Sequence, residues 1–322
     1  MRKLLAAMFI ALLMVGCGEP DLSDPEVLEN VTADAVDDSK LQYRNGVTYL
    51  SDEDIPFTGR SERFYESGQK RSENNYKDGI YDGVSTDWYE NGQKQREINF
   101  KDRKQDGLWT YWYENGQKLE EVNYEDGKPN GLITRWYEKG QKKEEGNLKD
   151  GKYDGLRTWW YENGQKKEER NLKDRVSTDW YENGQKQRER SFKDGKLIST
   201  FVWKPNGENC PVTNLRDGNG LEVGYYENGQ KMQQLSFKHG INDGLHTSWY
   251  KNGHKMEESY WKKDKIMSAL HWKPNGEKCS VTNLKGGNGV LVWYKEDGEE
   301  QARATYKGGE PVGYQHQPIP NP

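Results

Sequence analysis

The sequence is poor in the material of an ordinary globular core. Leu, Ile, Val and Phe together supply less than a fifth of the 322 residues, below what a packed domain needs. Cysteine occurs three times, too few for a disulfide-stapled scaffold. The five His (His239, His246, His254, His271 and His316) are scattered, without metal-ligand spacing, so no metal or cofactor is expected. Net charge is −5 with both signs interspersed and no basic stripe, which fits nucleic acid poorly. The longest apolar run, Leu4 to Val15, is shorter than the roughly 20 residues of a transmembrane helix. Aromatic residues, in contrast, reach 12%, and with so modest a net charge they argue against a disordered chain. A thin structure whose apolar area comes from rings is expected, with 35 glycines marking many turns.

The N-terminus reads as an export signal. Arg2-Lys3 precedes the apolar run, which ends at Met14-Val15-Gly16-Cys17. This ending resembles the bacterial lipoprotein signal, with Met14 in place of the usual Leu. The resemblance implies that residues 1–16 are removed and that Cys17 carries the lipid. Several acyl chains would give stable anchoring. Gly18, not Asp, follows the cysteine, which implies the outer membrane of the bacterial cell envelope if the host is Gram-negative. Residues 18–56 hold 11 acidic and 2 basic side chains. Residues 17–42 are therefore expected to be a lipidated, flexible acidic leader.

One repeat accounts for the rest. Eleven turn glycines, from Gly68 to Gly298, follow one another at intervals of 20 to 24 residues. Such a period means stacked supersecondary units. Each glycine stands four residues after an aromatic, usually Trp, which is usually followed by Tyr. Asn-Gly between strand-like residues predicts a two-residue hairpin with both turn residues at positive φ. In the unit around Gly116 that places Glu114 opposite Gln117, Tyr113 opposite Lys118 and Trp112 opposite Leu119. The Asp/Gly segments connect one unit to the next. Period-2 alternation puts Leu108, Thr110 and Trp112 on one face and Trp109, Tyr111 and Tyr113 on the other.

The second face then alternates Tyr with Lys. Tyr89 and Lys94, Tyr113 and Lys118, Tyr137 and Lys142, and Tyr161 and Lys166 are the candidate binding residues, because such a face is amphipathic and partly exposed. The Trp face is expected to serve the fold itself. Paired acids such as Glu120-Glu121, Glu144-Glu145 and Glu168-Glu169 point to opposite faces of a strand and cannot converge on a substrate. They are expected to be solvated strand charges. Asp/Gly loops lack the six to eight oxygens calcium prefers. No catalytic residues and no enzymatic activity are expected.

The core Trp-Tyr-Glu-Asn-Gly-Gln-Lys at 160–166 and Lys-Asp-Gly-Lys-Tyr-Asp-Gly at 149–155 resemble the bacterial variant of the MORN repeat. The resemblance runs from about residue 43 to 314. It implies β-hairpin arrays that contact protein or lipid, and several bacterial members are labelled antitoxins or immunity partners of toxins. The expected fold is all-β: an elongated open meander of repeated antiparallel hairpins, about 11–12 units of 20–24 residues, over residues 43–308. A Gly/Pro-rich tail would follow at 309–322.

Two irregularities stand out. The unit between Gly164 and Gly184 is four residues short, and its loop Lys173-Asp174-Arg175 lacks the usual glycine-containing piece. The segment WKPNGENCPVTNL at 203–215 returns as WKPNGEKCSVTNL at 272–284. Its cysteines, Cys210 and Cys279, lie three units apart. In an open meander that is too far for a disulfide, so two unbridged thiols are expected. The functional expectation is a lipid-anchored envelope protein that binds a protein or glycan, with neutralisation of a cognate toxin as the alternative.

Overall fold

A computed structural model describes residues 35–316. The signal segment, Cys17, most of the acidic leader and residues 317–322 lie outside the described residues. Contacts divide the chain into two compact units, residues up to 116 with 124–127, and residues 117–123 with 128 onward. Both are built from antiparallel β-hairpins following one another in sequence order. Among the described residues there is no α-helix, and a single 3-10 turn spans Asp38–Lys40.

In the first unit the short strand Val36–Asp37 pairs in parallel with Gly59–Phe64. Antiparallel strands Lys70–Lys77, Gly83–Trp88, Lys94–Lys101 and Gly107–Trp112 continue that sheet. Rings supply its core, as expected. Phe57, Tyr76, Tyr81, Phe100, Trp109 and Tyr124 stack in succession, with centroids 4.3 to 6.3 Å apart.

In the second unit strands run without interruption from Lys128–Trp136 to Lys196–Val202. A second sheet then runs from Gly220–Tyr225 to Lys265–His271, and a third holds Gly289–Tyr294, Glu300–Lys307 and Glu310–His316. Residues 310–316, read as tail from the sequence, are thus the last strand. Both breaks fall where the WKPNGE segments leave the hairpin pattern. There the scarce aliphatic residues gather. Val202, Cys210, Val223 and Tyr225 form one buried cluster; Ile266, Ala269, Leu284 and Leu291 form the other. Cys210 and Cys279 are buried, unbridged thiols. Their sulfurs lie 3.2 and 3.1 Å from the hydroxyls of Tyr225 and Tyr294.

The turn chemistry corrects one expectation. The two-residue hairpins are the Asp-Gly segments: Asp150 and Gly151 both have positive φ, and Lys149 pairs directly with Lys152. Asn45-Gly46 keeps the expected two-residue form, with Arg44 paired to Val47, but the repeated Asn-Gly turns such as Asn115-Gly116 and Asn163-Gly164 are longer. The Gly116 N–H donates to the Tyr113 carbonyl, and the Tyr161 N–H donates to the Gln165 carbonyl across a turn closed by Gly164. This is a type I turn followed by glycine in the left-handed region. In these longer turns only the glycine, not the asparagine, has positive φ, whereas Asn45 and Gly46 both have it. Asn163 instead accepts the Gln165 N–H on its Oδ1. Both dipeptides suit a two-residue turn, so composition alone did not separate them.

Candidate functional site

The longer turn shifts the register of every unit by one residue. Trp136 faces Lys142, Trp160 faces Lys166 and Trp180 faces Lys186, with a β-bulge after each pair. The first lysine after each turn therefore lies on the Trp face, not on the Tyr face. Its ammonium sits over the indole of the following unit. Lys94 lies 5.6 Å from the Trp112 ring, Lys118 5.8 Å from Trp136, Lys142 5.7 Å from Trp160 and Lys166 5.4 Å from Trp180. The same four ammonium groups pair with Glu97, Glu121, Glu145 and Glu169. The bulged lysines take the place expected of Lys142 and Lys166: Lys143 and Lys167 lie 5.5 Å from Tyr137 and Tyr161.

The tyrosines join successive units. The hydroxyls of Tyr89, Tyr137 and Tyr161 donate to the backbone carbonyls of Trp112, Trp160 and Trp180 at 2.8–2.9 Å. Tyr113 accepts the Gly116 N–H on its own carbonyl within its turn. The turns stack as well. Asn163 Nδ2 donates to the Glu182 carbonyl. The Gln165 side chain lies over Gly184, where an added Cβ would come within 2.7 Å of its amide oxygen. Nearly every residue of the Trp-Tyr-Glu-Asn-Gly-Gln-Lys core is thus engaged in stacking.

The acid pairs are half-buried and ion-paired, with Glu144 alone among them buried. Glu144 is buried among Arg135 (3.0 Å), Arg157 (2.6 Å) and Tyr153, whose hydroxyl donates at 2.5 Å. Burial alone would raise its carboxyl pKa. Hydrogen bonds from Tyr153, Arg135 and Arg157 outweigh burial and hold it below its ordinary value. Glu222, fully buried, receives Arg188 at 3.3 Å and Arg190. Its pKa too is lowered, the Arg190 hydrogen bond and both guanidinium charges overcoming burial. Glu257 meets His271 Nε2 at 3.2 Å. Among the described residues no group of three or more His, Cys, Asp or Glu could hold a metal ion.

One repeated position faces outward. Val84 and Leu108 in the first unit, and Leu132, Leu156 and Leu245 in the second, each follow a glycine at positive φ, and each is 40–52% exposed. They share the Trp face, four residues before the aromatic. Leu132 faces Asn147 and Leu156 faces Asn171, so aliphatic and amide side chains alternate across the strands. The sequence placed Leu108 on this face. It gave no sign that Leu108 would be uncovered while its neighbour Trp109 is buried.

Comparison with known proteins bears on the repeat. The MORN repeat variant profile matches residues 57–78, 81–102, 105–126, 153–174, 176–194, 219–239 and 242–263. No curated protein matches the chain. Among solved structures, the crystal structure of TcdB2-TccC3-Cdc42 is 12% identical over 84% of this chain and 18% of that one, with a TM-score of 0.17. The Photorhabdus luminescens Tc holotoxin pore is 12% identical over 83% of this chain and 17% of that one, with a TM-score of 0.18. The chain spans less than a fifth of the length of these proteins. Likeness at these scores carries no argument.

Proposed function

We propose that this chain, seven segments of which match the MORN repeat variant, is a non-enzymatic, lipid-anchored envelope protein whose outward aliphatic residues on the second unit dock a protein partner. The observation carrying this reading is the outward pair Leu132 and Leu156 in the second unit, a position that Val84 and Leu108 repeat within the first. A chain so poor in aliphatic residues leaves one uncovered at the same place in five repeats, whereas Val176, Leu221 and Val290 at that place are half-buried. An apolar stripe beside polar groups is the usual mark of a protein-binding surface. The tyrosines and lysines first singled out stabilise unit stacking and would meet a partner at their margins.

The anchor rests on Met14–Cys17, and the acidic leader would hold the array away from the membrane. Neutralisation of a toxin is a more specific form of the same reading, supported by family resemblance. Capture from envelope extracts tests the proposal. The mature chain should retain a partner that the Leu132→Glu/Leu156→Glu variant loses while melting at an unchanged temperature. Equal capture by both would overturn it.

A further inference from the structure

The short unit between Gly164 and Gly184 leaves a vacant place in the fold. In the complete unit before it, Tyr153 faces Leu148 across the strands and its hydroxyl reaches Glu144. Gly146 makes room for this ring: an added Cβ would lie 3.1 Å from Tyr153. Leu148 is accordingly buried. In the short unit Glu168, Arg170 and Leu172 occupy the positions of Glu144, Gly146 and Leu148, and no residue corresponds to Tyr153. Leu172 is left 47% exposed. An open cleft of about 890 Å³ lies there, floored by Leu172, Val176 and Phe192 and flanked by Arg170 and Arg175.

The cleft is preformed. Asn171 caps the shortened loop, accepting the Lys173 and Asp174 N–H groups on Oδ1 and donating to Asp174 Oδ2. The Phe192 N–H donates to the Arg175 carbonyl across its base.

We propose that this cleft receives a β-turn of a partner protein, seating an aromatic side chain on Leu172, Val176 and Phe192. The repeat itself specifies the occupant. The place is the one a Lys-Tyr-Asp-Gly segment fills one unit earlier, with a phenol hydroxyl directed at the glutamate. Glu168 offers that acceptor while paired with Arg170, as Glu144 does while paired with Arg135 and Arg157. Arg175, more than half exposed and 3.4 Å from Asp194, favours an acidic residue beside the ring. A cleft of this size suits a compact ligand of a few residues. The inference rests on the interaction-module reading and adds to it a second, local contact.

The probe is an acetylated, amidated hexapeptide, Asp-Gly-Lys-Tyr-Asp-Gly, titrated calorimetrically into the mature chain. Saturable binding is expected, at least tenfold weaker when alanine replaces its tyrosine. Inserting Gly-Lys-Tyr-Asp between Asp174 and Arg175 should fill the cleft and abolish binding. Should that variant fold poorly, the same peptide carrying benzoylphenylalanine in place of tyrosine decides the matter on the unaltered chain. Cross-links to Leu172, Val176 or Phe192 support the proposal, and cross-links elsewhere overturn it. No binding at millimolar peptide, or equal binding by the well-folded insertion variant, also overturns it. Capture of a partner through the aliphatic stripe would stand in either case, so the two failures are distinguishable.

Discussion

The Tyr137 hydroxyl donates to the Trp160 carbonyl oxygen at 2.8 Å, tying one repeat to the next through a side chain that sequence alone presents as a binding group. Tyr137→Phe removes only this bond and should cost about 0.5–1.5 kcal/mol. In a repeat array the loss should appear locally. Hydrogen exchange should rise in the strands on either side of the turn at 161–165 and stay unchanged beyond the neighbouring units. Loss spread evenly over the chain would contradict the stacking role.

The tryptophans differ in what they support. Trp160 is half-buried beneath Lys142, whereas Trp293 packs against the closed cluster of Ile266, Ala269, Leu284 and Leu291. Trp293→Ala should cost about 3–5 kcal/mol within the last sheet, and Trp160→Ala about half as much within its own unit. Local unfolding free energies from native-state exchange measure both, and a larger loss at Trp160 would argue against the cluster.

Glu222 gives the second unit an acid-sensitive point. Its folded pKa is depressed, so it contributes stability that is complete above the unfolded value of about 4.3. That contribution fades as pH falls below the unfolded value and is gone once pH passes below the folded one. Glu222→Gln should destabilise the protein at pH 7, because Arg188 and Arg190 lose their buried counter-charge, and should flatten the acid limb of the stability curve. Melting curves between pH 7 and pH 3 check the sign. A variant as acid-sensitive as the parent would contradict it.

The anchor is tested at Cys17. Cys17→Ser should abolish lipid labelling and move the protein from the membrane to the soluble fraction. Unchanged partition and labelling would refute lipidation.

Much of the fold was legible because the repeat is written in turn glycines and in Trp-Tyr pairs at fixed spacing. The register was not. Asn115-Gly116 and Asp150-Gly151 both satisfy the rule for a two-residue turn, and only three-dimensional stacking shows which pair adopts it. One residue of shift then moved Lys94, Lys118, Lys142 and Lys166 to the other face. The outward stripe was hidden for a related reason. Leu132 and Ile133 read alike as apolar strand residues, yet the first is exposed and the second buried. Charge on the strands was underestimated because Glu144 and Glu222 find their arginines on neighbouring strands, at separations that no local pattern reveals. Cys210 and Cys279 were more readable, since their matched positions in two distant units already argued against a bridge.

The most direct test of the account is hydroxyl-radical footprinting of the mature chain, free and with a captured partner. The account predicts reduced oxidation at Leu132, Leu156 and Leu245, with Tyr89, Tyr137 and Tyr161 unchanged because they serve unit stacking in both states. Protection of those tyrosines with the leucines left reactive would contradict it.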